Sequence, residues 1–248
     1  FRQGASNKDT SLFIRGIGTI STSQGVEPSV STVVDGVVYA RAGQSTLDLV
    51  DVDRMEVLRG PQGTLFGKNA SAGVINVVTK RPTGQTERYV DASYYQGNEW
   101  RIRGGVSGEL SREFAGSVNA YVGEFDGNVN NINLGQDVNG YDRWGIRARG
   151  EWKASRDVSV TVIGDYTRAD DTGSRGPYVR GSAAIAAAIA PIVMGIENRD
   201  VSTNVKERVE DKNGGLSAQI DWNTGGHTLT SITALRKWDN VQYQDIDG

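Results

Sequence analysis

The sequence predicts an all-β chain of the transmembrane-barrel type: about seven antiparallel strands over residues 87–248, preceded by a small mixed α/β domain over residues 1–86. Three observations carry this expectation. Residues beyond about 86 alternate apolar and polar over roughly ten positions at a time, the length and period of a tilted membrane strand. Aromatic residues stand at the ends of the apolar faces. The connections between strands alternate between short and long.

The first region has a different grammar. Short apolar runs at Leu12–Ile14, Ser31–Tyr39, Met55–Leu58 and Val74–Val78 are punctuated by glycine, and each reads as a short strand. Thr46–Val52 is expected to form one or two helical turns. Pro82-Thr83-Gly84 closes the region with turn chemistry.

The second region supplies the barrel strands. The first is expected at Arg88–Gln96. In the second, Trp100, Ile102, Gly104 and Val106 oppose Arg101, Arg103, Gly105 and Ser107. In the third, Phe114 to Val122 sets alternate apolar residues against Ser117, Asn119 and Tyr121. In the fourth, Trp144, Ile146, Ala148 and Trp152 oppose Arg143, Arg147, Arg149 and Glu151. In the fifth, Val158, Val160, Val162 and Tyr166 oppose Ser159, Thr161 and Asp165. In the sixth, Leu216 to Trp222 alternates with Ser217, Gln219 and Asp221, and the seventh covers Thr228–Trp238. A soluble sandwich also alternates. Arg and Glu in mid-strand, however, suit a wet lumen rather than a sandwich core, and Trp100, Trp144, Trp152, Tyr166 and Trp222 suit an interfacial girdle.

The expected loops fit the same reading. Leu110–Glu113, Ala154–Asp157 and Thr224–Gly226 are short, whereas Phe125–Gly140 and Ala169–Gly214 are long. Short turns facing the periplasm and long loops facing outward are the pattern of outer-membrane barrels. A turn at Gly97 and Asn98 is the exception. Ala183–Ile196, inside the longest loop, is rich in small residues and reads as a loop helix.

Composition narrows the function classes. Gly is 32 of 248 residues with only 5 Pro, which suits turn-rich β-structure. With 27 basic and 30 acidic residues the chain has no basic footprint for nucleic acid. It has no Cys, so no disulfide or thiolate metal site is possible, and its single His, His227, falls in a short turn. Gly63-Thr64-Leu65-Phe66-Gly67-Lys68-Asn69 resembles a phosphate loop but is one residue short, and Asn69 stands where Ser or Thr would bind magnesium. No catalytic constellation stands out, so neither enzyme activity nor a cofactor or resident metal is expected.

Two segments carry a family resemblance. One is Leu12-Phe13-Ile14-Arg15-Gly16-Ile17-Gly18 followed by Val34-Asp35-Gly36-Val37. The other runs from Met55-Glu56-Val57-Leu58-Arg59-Gly60-Pro61-Gln62-Gly63 through Asn69-Ala70-Ser71-Ala72-Gly73-Val74-Ile75-Asn76-Val77-Val78-Thr79-Lys80. Together they resemble the plug of TonB-dependent outer-membrane receptors. The resemblance implies a plug inside the barrel lumen, with plug charges such as Glu56 and Arg59 meeting wall charges among Arg101, Arg103, Arg147, Arg149 and Glu151. It implies a ligand at the outward plug tips, here Arg15, Thr19, Gln24, Tyr39, Arg41 and Gln44. Implied partners are TonB (through a segment upstream of Phe1), outer-membrane lipid and lipopolysaccharide, and a small nutrient such as an iron–siderophore complex. A non-transporting signalling or adhesion receptor is the alternative.

Geometry adds an expectation of size. A plug of ~85 residues has a diameter of roughly 30 Å, and an eight-stranded wall would be only about 16 Å across. Barrels that hold such a plug have about 22 strands. The chain is therefore expected to be a part of a longer protein.

Overall fold

The computed structural model describes residues 11–19, 26–45, 51–173 and 176–243. Its first layer is a mixed four-stranded sheet, and its second is a seven-stranded antiparallel sheet that curves around the first.

In the first layer a two-residue hairpin, β1 (Phe13–Ile14) and β2 (Ile17–Gly18), precedes β3 (Val30–Val34), β4 (Val37–Tyr39), β5 (Val52–Arg59) and β6 (Gly73–Thr79). The sheet order is β4-β3-β6-β5, with β3 and β6 parallel. Ser31–Tyr39 is therefore a hairpin rather than one strand. Asp35 and Gly36 both take positive φ (47° and 79°), as the tightest hairpin turn demands, and Asp-Gly is its preferred dipeptide. Two small cores hold the sheet: Val33, Ala70 and Val74 on one face, and Val34, Tyr39 and Val77 on the other. Between β5 and β6 a single turn, α1 (Gly63–Phe66), ends at Gly67, whose φ of 81° favours glycine. A 3₁₀ turn at Ala42–Ser45 follows β4. The helical turns expected at 46–52 fall mostly outside the described residues, and Val52 already opens β5.

The second layer comprises β7 (Glu87–Tyr95), β8 (Glu99–Glu109), β9 (Phe114–Phe125), β12 (Tyr141–Lys153), β13 (Val158–Thr172), β15 (Arg208–Asn223) and β16 (Thr228–Tyr243), each paired with its neighbour in sequence order. All seven expected strands are present, and the second to sixth keep the expected faces. Ile102, Val118, Ile146, Val162, Leu216 and Leu229 are all more than a third exposed on the outward face, where a soluble sandwich would bury them. Aromatic pairs bound that apolar band. Trp144 and Tyr166 lie 5.4 Å apart at the long-loop side, and Phe114 stacks on Trp152 at 5.7 Å at the short-turn side.

Strand ends differ from expectation at the long-loop side, where β13 runs on to Thr172 and β15 starts at Arg208. Here both faces of the sheet are polar, so the alternation that marks a membrane strand is lost. Arg168, Asp170, Arg208, Glu210 and Lys212 form a ladder of ion pairs across these extensions.

The two long loops are not separate. The first folds into β10 (Val129–Asn131) and β11 (Gln136–Val138), and β14 (Asp200–Val201) from the second pairs in parallel with β10. Val129, Val138 and Val201 make a dry core of their own. Asn131, fully buried, donates to the Thr203 hydroxyl at 2.7 Å and accepts from the Asn133 and Leu134 amides. The loop helix expected at Ala183–Ile196 is shorter, α2 (Ala183–Ala188), with Ser182 capping it through the Ile185 amide.

Candidate functional site: the plug–wall seam and the pocket beside it

The Asp35-Gly36 turn is pressed against the inner wall. A Cβ on Gly36 would come within 2.6 Å of Ile232. This close approach puts the Asp35 carboxylate between two elements. One oxygen accepts the Thr79 amide at 2.9 Å; the other accepts the Thr79 hydroxyl at 2.7 Å and a guanidinium N–H of Arg147 from β12. Arg149, one strand repeat further on, donates to the same Thr79 hydroxyl at 3.0 Å and to Glu151 at 2.9 Å.

Arg147 is the centre of the seam. Besides Asp35 it reaches Asp51 at 3.5 Å and Asp165 at 3.3 Å, and all four side chains are more than nine-tenths buried. Asp165 is held in turn by a bidentate fork from Arg236, at 2.7 and 2.9 Å, and the Arg236 guanidinium lies 4.3 Å above the Tyr39 ring. Three guanidiniums (Arg147, Arg149, Arg236) thus meet three buried carboxylates (Asp35, Asp51, Asp165), with the less buried Glu151 on Arg149 at the edge. The charge balances, as buried charge must. Burial pushes the Tyr39 phenol up to about 12, with Asp165 adding to the effect.

Asp51 is the least satisfied member. Neither carboxylate oxygen has a hydrogen-bond partner. Burial raises its pKa, Arg147 opposes that shift, and Asp35 adds to it. The sign follows. A folded-state pKa above the unfolded one means that Asp51 favours the folded state most at low pH and that this contribution is lost as pH rises through the folded pKa. Denaturant unfolding of the full-length protein should therefore find wild type losing stability relative to Asp51→Asn as pH rises from the carboxylate range to neutrality. A difference that grows in the opposite direction would sink this assignment.

Several expected contacts are corrected. Glu56 does not meet the wall; it accepts from Arg54 at 2.7 Å and from Asn76 at 2.9 Å, both within the plug sheet. Arg59 is exposed and makes no ion pair among the described residues. Arg101 and Arg103 face the lumen but pair along the wall, with Glu99 and with Asp91 (3.0 Å). The plug side of the seam is acidic instead. Asp35 was legible as a turn residue, and its role as an anchor follows only from where the turn lands.

The expected ligand residues also separate. Tyr39 is buried beneath Arg236, because the alternation of β4 turns it into the core with Val34 and Val77. Gln44 is buried too, and its side-chain oxygen accepts the Arg41 amide at 3.1 Å. Thr19 closes its loop by pairing with the Ser29 hydroxyl at 2.6 Å. Arg15 is exposed at the β1–β2 turn, and Arg41 donates to the Val26 carbonyl at 3.4 Å. Gln24 lies outside the described residues.

A pocket missed by the sequence reading opens on the inner wall, some four residues or ~13 Å along β12 from Arg147 toward the long loops. Its volume is about 300 Å³, and its lining includes Arg101, Arg103, Arg143, Tyr95, Tyr121 and Tyr141. Glycines on the same face make room for the large groups. A Cβ on Gly145 would stand 2.5 Å from the Tyr121 ring, and one on Gly123 would stand 3.1 Å from Arg101. Arg101 donates to the Tyr141 hydroxyl at 2.8 Å, and Arg143 lies 4.5 Å over the Tyr141 ring while forking onto Asp171. The signal in the sequence was the run of Arg and Tyr on one strand parity, spread over β7, β8, β9 and β12.

Comparisons with known proteins agree with this architecture. Residues 1–74 match the family model of the TonB-dependent receptor plug domain. Residues 1–74 thus carry a TonB-dependent receptor plug domain, and the curated relatives are receptors of that kind. The plug match and the barrel fold are those of bacterial outer-membrane receptors, and the curated relatives are receptors and transporters. The pesticin receptor of Yersinia enterocolitica is 33% identical over 141 residues, covering 56% of this chain and 20% of the relative. The vitamin B12 transporter BtuB of Vibrio cholerae is 32% identical over 157 residues, covering 59% and 23%. The ferric yersiniabactin uptake receptor FyuA from Yersinia pestis superposes with a TM-score of 0.80 at 22% identity, over 96% of this chain and 36% of that one. The chain thus spans about a fifth of the length of these curated relatives.

Proposed function

We propose that the full-length receptor carries a scarce nutrient inward across the outer membrane, energised through TonB, and that the nutrient is an anionic chelate of the iron–siderophore kind. The observation that supports this reading is the guanidinium–phenol pocket on the lumen wall. Arg offers paired, charge-assisted bonds to carboxylate or phenolate oxygens, and Tyr offers flat apolar faces with a polar edge. The names of the relatives fit the same class, with ferric yersiniabactin and ferric enterobactin receptors among them. Residues 1–86 serve as the plug and 87–248 as part of the wall. Arg15 and Arg41 remain as plug-side contributors.

The test is ligand affinity of the full-length receptor. Arg101→Ala with Arg103→Ala should weaken binding of a ferric siderophore tenfold or more, about 1.4 kcal/mol, with the plug still protease-resistant. Unchanged affinity in an intact double variant would remove the wall pocket from the site.

Transport also requires an orientation, with the long loops outside. Single cysteines at Glu197, in the second long loop, and at Gly226, in the β15–β16 turn, provide the check. An impermeant maleimide should label the first in whole cells and not the second. The reverse pattern would invert the barrel.

A further inference from the structure

The outward face of the wall carries a hollow that neither the seam nor the pocket uses. Its floor is Gly116, Ala148, Gly150 and Gly164, brought side by side by the register of β9, β12 and β13. The Phe114–Trp152 stack closes one end and Leu216 the other. The volume is about 770 Å³, within the range of ligand pockets. From Trp152 to Ala148 the hollow runs about 14 Å along the strand, close to half of the ~30 Å hydrocarbon core. It lies at the short-turn side of the apolar band, so lipid of one leaflet covers it.

We infer that this hollow binds one phospholipid as a fixed neighbour of the barrel, with an acyl chain laid over Gly116 and Gly150 and a zwitterionic headgroup at the short turns. Chain and groove match in polarity and in length. At the rim the β8–β9 and β12–β13 turns expose Arg112, Glu113, Arg156 and Asp157, two cations and two anions. That balanced set suits a phosphate and an ammonium together. A single-sign headgroup would meet like charge. The choice of a phospholipid over a glycolipid rests on the short turns facing the periplasm, as proposed above.

Gly150 gives a clean test, because a Cβ built there meets nothing within 4 Å and its backbone is not in the left-handed region. Gly150→Leu should fill the groove without disturbing the fold. The full-length receptor, extracted and examined by native mass spectrometry with lipid identification, should retain one phosphatidylethanolamine per barrel. Gly150→Leu should lower that occupancy about tenfold. Ala218→Leu, on the same face but outside the hollow, should leave it unchanged, and Gly164→Val provides a second filling variant should Gly150→Leu fold poorly. Equal retention in wild type and filled variants would overturn the proposal. So would a retained glycolipid, which would also reverse the orientation, or a receptor dimer without lipid that the filling variants disperse.

Discussion

Arg147→Ala should destabilise the plug–wall seam of the full-length receptor by about 3–5 kcal/mol, the usual cost of removing one partner from a buried ion pair. The size follows from what is left behind. Asp35, Asp51 and Asp165 would share a space less than a tenth exposed with one guanidinium fewer. Arg149 could compensate for Asp35, being already 3.8 Å from it, and Arg236 holds Asp165, but Asp51 would lose the one ion pair it makes among the described residues. Denaturant unfolding, with protease access to the plug as the local readout, measures the effect. A double-mutant cycle with Asp35→Asn should show a coupling energy, since the second change removes a charge that the first has stranded. A loss below about 1 kcal/mol for Arg147→Ala would mean that the seam is wetter than its burial suggests, as exposed pairs are worth no more than that.

The second large effect belongs to the outward face. Val162→Arg should cost about 2–4 kcal/mol, the penalty for a cation near the bilayer midplane. The paired register refines which positions are deepest. Val162 lies opposite Gly150 and Ala218, one outward position inside the Trp152 level. Val160 lies opposite Trp152, so Val160→Arg should cost less, in keeping with its shallower depth, whereas Ile146→Arg, two residues inside Trp144, should cost about as much as Val162→Arg. Ser159→Arg, which faces the lumen, should cost least of all. Folding titrations of the full-length receptor into lipid vesicles would rank the four. Equal costs on the two faces would show that the assigned parity is wrong.

Much of this architecture was legible in the sequence because membrane strands are written in a strict period. A strand wet on one face and in lipid on the other must alternate, and Trp144 to Trp152 announces itself without help. Legibility failed where both faces carry polar side chains. Thr167–Thr172 and Arg208–Asn213 are strand with charged or hydroxyl groups on the exposed and the buried face alike, so their letters resemble a loop. It failed again for Tyr39 and Gln44. Polar and aromatic letters near a turn suggest exposure, whereas the Asp35-Gly36 hairpin folds Tyr39 back under Arg236. Contacts between the two layers are the hardest to read. Nothing local in Val-Asp-Gly-Val says that its carboxylate will meet an arginine 112 positions later. The wall parity did identify Arg147 and Arg149 as lumen-facing, and the partners they find are Asp35, Asp51 and Thr79 rather than Glu56 or Arg59.

The small sheet made of β10, β11 and β14 has a consequence for how this protein can vary. Surface loops are ordinarily the freest part of a barrel, each able to lengthen, shrink or be exchanged by itself. Here two of them share three valines and one buried asparagine. A substitution at Val129 or Asn131 alters the footing of a segment seventy residues downstream, so a change in one loop is tolerated only with an accommodating change in the other. Under pressure from whatever reaches the cell surface, the two loops should evolve as a single heritable unit, and a chimera that imports only one of them should fold its barrel yet lose its cap.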